Sequence, residues 1–176
     1  HGESVSKNEK EAFKCFSKSA ELGNSVGMLG LVFSYESGEG VKPDKKEAFK
    51  WFTKSAELKN GCALRIIGQH YENGTEVTKD FKKALECYLK SASIGNGCGI
   101  VALGNCYLRG IGVQKDEIEA FKIFTNSVDS GSSKGTCWIG MCYSQGYGVV
   151  IAKNEAIKWF TKSADLGNPD GMNWLG

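Results

Sequence analysis

Residues 103–120 read LGNCYLRGIGVQKDEIEA, and this spacing returns along the chain every 36 residues. Tyr107 falls in phase with Tyr35, Tyr71 and Tyr143, and Gly110 with Gly38, Gly74 and Gly146. Val113 matches Val41, Val77 and Val149, and Ala120 matches Ala12, Ala48, Ala84 and Ala156. Beyond the quoted stretch, Phe16, Phe52, Tyr88, Phe124 and Phe160 form an aromatic row, and Leu31, Ile67, Leu103, Ile139 and Leu175 an aliphatic one. No insertion or deletion breaks the register. A fixed period of this size marks a solenoid: one unit is too small to bury its apolar face alone, and stacked units do so together.

Each unit reads as two helices. In 46–58, Ala48, Trp51, Phe52, Ser55 and Ala56 share one face at three-four spacing, while Lys50 and Lys54 lie on the other. Asp44 is placed to cap this helix, and Pro43 sits in the turn before it, where a missing N–H does no harm. In 60–72, Ala63, Leu64, Ile67, Gly68 and Tyr71 form a stripe that Asn73-Gly74 ends, since glycine readily takes the left-handed position. Gly23-Asn24 and Gly95-Asn96 are further helix stops. Nothing alternates with period two, so no sheet is predicted. Gly68, Gly104 and Gly140 each cost a helix about 1 kcal/mol relative to alanine. That cost is tolerable where a ring of the aromatic row fills the space left.

The chain has 176 residues, a 41% apolar fraction and a formal net charge of +2. That fraction sustains a core. The small charge offers no case for nucleic acid, and no apolar run approaches the roughly 18–20 residues that span a bilayer. Seven cysteines, an odd number without a C-x-x-C pair, argue against a disulfide framework and a structural zinc site. Buried free thiols in a reducing, cytoplasmic setting are expected. His1-Gly2 reads as the remnant of a cleaved tag.

The quoted pattern, followed by an aromatic residue and K-S-A-x-x-G-N, resembles the Sel-one-like repeat family, relatives of the tetratricopeptide repeats. The full pattern is carried by Leu103, Gly104, Tyr107, Gly110, Gly112, Val113, Asp116 and Ala120. Departures occur at Val32, Lys59 and Glu76, each in place of glycine, and at Ala152 in place of aspartate; they question local turn geometry, not the fold. The resemblance covers nearly the whole chain. It implies an all-α, right-handed α-α superhelix of about nine helices, with residues 1–176 a single array cut from a longer one. Adaptors and scaffolds in signalling, endoplasmic-reticulum quality control and bacterial–host contact belong to that family. Some secreted members carry two cysteines per unit that form a disulfide. Cys62 and Cys98 resemble the second of these, but Ala56 and Ala92 stand where the first would be.

Other motifs read as structure. Gly38-Glu39-Gly40 and Gly110-Ile111-Gly112 recur as turns without the strand a dinucleotide fingerprint needs. A nucleophilic cysteine with His70 lacks a third group. Lys14, Lys18, Lys50, Lys54, Lys90, Lys158 and Lys162 form a solvated face, with no aromatic interleaved on it. The side of the Asn60-type helices opposite their core stripe is different. It holds Val26, Leu29, Gly30 and Phe33, then Cys62, Arg65, Ile66 and Gln69, then Cys98, Val101, Ala102 and Asn105, then Lys134, Cys137, Trp138 and Met141. A merely wet face would be charged; this one is rich in apolar and aromatic groups.

The expectation is therefore a non-catalytic scaffold or adaptor without cofactor or metal. It would bind a protein or peptide through Arg65, Gln69, Val101, Asn105, Trp138 and Met141, with no nucleic acid and no membrane insertion. The competing reading of that stripe is packing on the adjacent unit. The competing function is a secreted, disulfide-containing member with enzymatic or ligand-binding activity.

Overall fold

The computed structural model describes residues 7–175, so the His1-Gly2 remnant lies outside the described residues. Ten helices and no strand occur among them: α1 (Lys7–Glu21), α2 (Ser25–Ser37), α3 (Lys45–Glu57), α4 (Gly61–Asn73), α5 (Phe81–Ser93), α6 (Gly97–Arg109), α7 (Glu117–Asp129), α8 (Ser133–Gln145), α9 (Lys153–Asp165) and α10 (Pro169–Asn173). Nine are of full length, and α10 has five residues. Odd-numbered helices pack on their even-numbered neighbours, whereas α4 also packs on α6, α6 on α8 and α8 on α10. Helices that touch the next of their own kind lie on the inside of a curved stack, so the even-numbered helices form the inner layer.

Short-range chemistry sets the boundaries. Asp44 accepts hydrogen bonds from the amides of Lys46 and Glu47, Asp80 from Lys82 and Lys83, and Asp116 from Glu119. Each unit is also closed by a 2.9 Å backbone bond to a tyrosine carbonyl: Asp44 to Tyr35, Asp80 to Tyr71, Asp116 to Tyr107, Ala152 to Tyr143. This bond keeps the tyrosine and aspartate rows in register. The inner helices are capped by Asn24, Asn60, Asn96, Ser132 and Asn168, a role beyond the helix stop read from Gly-Asn.

The departures from the repeat show where the fold overrides the residue. Lys59 and Glu76 take φ of 58° and 61°, the glycine conformation without glycine. At Gly112, which matches Glu76, an added Cβ would lie 2.2 Å from the Phe81 carbonyl oxygen. Ala152 holds φ −143° and ψ 89°, close to the aspartate caps, yet makes no side-chain cap. Val32 is buried beside Phe52 and Ala48.

The aromatic row is the centre of the core. Rings of Tyr88, Phe124 and Phe160 lie against Gly68, Gly104 and Gly140, where an added Cβ would come within 2.5–2.6 Å of them. Their other sides meet the next inner helix. Ala102 packs on the cluster of Tyr88 and Ile66 on that of Phe52. Trp138 stacks on Phe124 at 5.2 Å, and Trp174 on Phe160 at 5.6 Å. The Tyr88 hydroxyl, on a fully buried ring, donates to Glu72 at 2.8 Å. Burial and that carboxylate push its ionisation well above the usual phenol range.

Beneath the rings runs a row of fully buried serines, Ser55, Ser91, Ser127 and Ser163. Ser91 donates to the Gly61 carbonyl at 2.7 Å and Ser163 to that of Ser133 at 2.8 Å. Gly99 and Gly135 leave space for the hydroxyls of Ser91 and Ser127, and Ala63 stands in their register opposite Ser55. The Ser55 hydroxyl has no hydrogen-bond partner.

Burial of the thiols is narrower than expected. Cys106, Cys137 and Cys142 are buried and Cys87 is half-buried, but Cys15, Cys62 and Cys98 are exposed; all seven are free. Cys62 and Cys98 sit at the start of inner helices, off the core stripe. Cys15 stands at the place of Trp51, whose ring packs against α2, and no described helix precedes α1 to cover it.

Candidate peptide-binding groove

The six residues singled out above come together. Arg65 and Gln69 on α4, Val101 and Asn105 on α6, and Trp138 and Met141 on α8 line one depression of about 430 Å3. Cys98, Lys134, Asp170 and Trp174 also line it. A second hollow of about 290 Å3 shares Asn105, Trp138 and Met141 and reaches Arg109 and Tyr147. The 36-residue period places equivalent side chains side by side on successive inner helices, so a row in sequence becomes a strip across the layer.

Their exposures divide the strip between its two readings. Val101 is only 7% exposed and joins the cluster of Phe124 and Ile139, so it is chiefly core and forms floor rather than rim. Cys137 is buried too, and Ile66 packs on the cluster of Phe52. Trp138 is half-buried, one face spent on Phe124. Gln69 is exposed; Arg65, Asn105 and Met141 are half-buried. Packing thus claims much of the apolar content. What remains open is a mixed surface of two indoles, one thioether, two amides, two cations and the Asp170 carboxylate. Packing on an adjacent unit, the competing reading of this stripe, therefore holds for Val101, Cys137 and one face of Trp138.

Polar groups in the groove are only partly engaged. Arg65 donates to the Gln69 side-chain oxygen at 2.6 Å, and the Asn105 amide nitrogen donates to the Val101 carbonyl at 3.1 Å. Among the described residues, Lys134 makes no ion pair within 4 Å. On the outer layer Lys50 pairs with Glu47, Lys122 with Glu119 at 3.2 Å and Lys158 with Glu155 at 2.5 Å, while Lys14, Lys18, Lys54, Lys90 and Lys162 make no ion pair among the described residues. The lysine face is exposed as expected, with one correction. Half-buried Trp51 and Trp159 lie beneath it, with Lys54 4.1 Å from the Trp51 ring centre and Lys162 5.0 Å from that of Trp159. A side chain three positions on leans over the same patch of helix surface.

The remaining motifs are structural in place. Gly38 and Gly110 end α2 and α6 in the left-handed conformation, and Gly40 and Gly112 share it. His70 uses Nδ1 on the Thr75 carbonyl at 2.9 Å and packs edge-on against Phe49. No group of three or more potential ligands that could hold a metal ion occurs among the described residues. No described helix is long and apolar enough to cross a membrane.

Comparison with known proteins agrees with this architecture. A Sel1 repeat family model matches residues 1–24, 28–60, 63–96, 99–132 and 133–168. No curated protein matches the chain in sequence. Among solved structures, a Sel1 repeat protein from Oxalobacter formigenes is 31% identical, with a TM-score of 0.86 over 95% of this chain and 68% of that one. A protective antigen present in uropathogenic Escherichia coli strains, displaying an SLR fold, is also 31% identical, with a TM-score of 0.77; the alignment covers 95% of this chain but only 36% of the antigen. Helicobacter pylori cysteine rich protein B is 33% identical, with a TM-score of 0.59 over 77% of this chain and 97% of that one. A repeat read from spacing, a two-layer helical stack and a family model matching five successive segments coincide: the chain belongs to the Sel1 repeat family.

Proposed function

We propose that this array is a non-catalytic scaffold that holds a partner protein or peptide in the groove across α4, α6 and α8. The Sel1 repeat is a protein-interaction fold. The observation that carries the assignment of face is the convergence of Arg65, Gln69, Asn105, Trp138 and Met141, from three separate helices, on one concavity with Val101 as its floor. Large aromatics dominate interface energies, and truncating one commonly costs about 2 kcal/mol or more, which makes Trp138 the anchor. The free thiols suit a reducing compartment, and we place the protein in the cytoplasm on that ground.

The test is capture of a partner from native lysate, followed by affinity measurement with that purified partner. Trp138→Ala and Met141→Ala should each weaken binding, the first at least about tenfold, or roughly 1.4 kcal/mol. Circular dichroism must show the helices intact. Lys54→Ala, on the outer layer, should change little. If Lys54→Ala weakens binding and the groove variants do not, the lysine face is the binding surface.

A further inference from the structure

We infer that the groove's occupant is an extended acidic segment of a partner protein bearing one large apolar side chain; this deepens the groove reading and rests on it. Charge balance carries the argument. Inside the groove, Arg65 is bound only to a neutral amide, and Lys134 has no carboxylate partner. The backbone adds to the positive side of this balance. Inner helices α4, α6 and α8 carry no acidic residue in the first turn to offset the positive end of the helix dipole, whereas α10 carries Asp170. Cys98 and Lys134 stand at those uncompensated N-terminal ends, along one edge of the groove.

The remaining groups fit an extended chain. Gln69 spends its oxygen on Arg65 and keeps its N–H donors, whereas Asn105 spends a donor on Val101 and keeps its oxygen. Together they offer what an unpaired backbone needs, a donor for its carbonyl and an acceptor for its amide. Carboxylates would pair with Arg65 and Lys134, and the apolar side chain would lie against Trp138 and Met141. Asp170, at the α10 end, repels carboxylates and so gives the segment a direction. Two cations sharing a groove with an aspartate do not match the continuous phosphates of a nucleic acid.

Synthetic probes decide it. Two fluorescently labelled peptides share the same apolar residues, one with glutamates and the other with lysines in their place. The glutamate peptide should bind the intact chain and weaken as salt is raised, and the lysine peptide should bind at least about tenfold less well. Lys134→Glu, a change at an exposed side chain without an ion pair, should narrow or reverse that preference while the helical signal stays unchanged. Equal binding of both peptides, an unaltered preference in Lys134→Glu, or no binding of either overturns the inference. So does tighter binding of a labelled oligothymidylate, or self-association of the chain that Trp138→Ala abolishes, which would make a second copy the occupant. If Trp138→Ala weakens both peptides alike while Lys134→Glu changes nothing, the groove stands and its acidic occupant falls.

Discussion

A single missing side chain decides how closely the units stack. Phe124 is held between Gly104 on one side and Trp138 on the other, so its ring has nowhere to retreat. Gly104→Ala gains about 1 kcal/mol of helix propensity but overpacks this contact, a cost of about 1–3 kcal/mol. Urea unfolding should therefore show a net loss of stability; a gain would mean the ring is freer than the stack implies. The serine row gives a matched pair at the same scale. Ser91→Ala removes a buried hydrogen bond and should cost about 1 kcal/mol. Ser55→Ala removes a buried hydroxyl without a partner, so it should be neutral or stabilising by about 1 kcal/mol. Equal losses in the two variants would show that Ser55 is satisfied in solution.

Helix ends are where this sequence is least adapted to its fold. Ala152 already holds the backbone of an aspartate cap, with the side-chain acceptor absent. Ala152→Asp should stabilise the chain by about 1 kcal/mol, with slower hydrogen exchange at the start of α9. Unchanged exchange there would argue that water already serves those amides. Glu76 bears left-handed backbone strain at a place where the matching glycines bring two backbones together. Glu76→Gly should stabilise by about 1 kcal/mol, read as a higher urea midpoint, because it relieves strain and permits the closer approach. These positions were visible as departures from the repeat; their energetic sign needed the dihedral angles.

For the whole molecule, stability is a sum over units and the contacts between them, and the buried thiols report on it. Burial pushes Cys106 and Cys142 up to about 12 from an ordinary value of 9.0. Below about pH 9 both folded and unfolded chains keep these protons. Between about pH 9 and pH 12 the unfolded chain releases them and the folded chain does not, so the stability they contribute is lost as pH rises. Urea midpoints should fall across that window, and replacing both cysteines with alanine should flatten the fall. In the native state at neutral pH, Cys15, Cys62 and Cys98 should react with a thiol reagent at once. Cys106 and Cys142 should wait for their units to open. Uniform reactivity of all seven would contradict the layered core.

The sequence alone settled the period, the two helices of each unit, the caps at Asp44 and Gly74, and the pairing of aromatic rings with small residues. All of these follow from spacing along one helix or from a row repeated in phase, which needs no knowledge of neighbours. It also placed six side chains, drawn from three in-phase rows, on one side of successive helices. Their depth was beyond its reach. Val101 is sealed into the core while Arg65, its equivalent one unit earlier, is only half-buried, although spacing treats the two alike; Trp138 spends one face on Phe124 and Gln69 stays in water. Burial at those places is set by the ring that the adjacent outer helix brings across the layer. The groove, its unbalanced charge and the unpaired Ser55 hydroxyl exist only once units are stacked, because each depends on a contact between helices and not on a pattern within one.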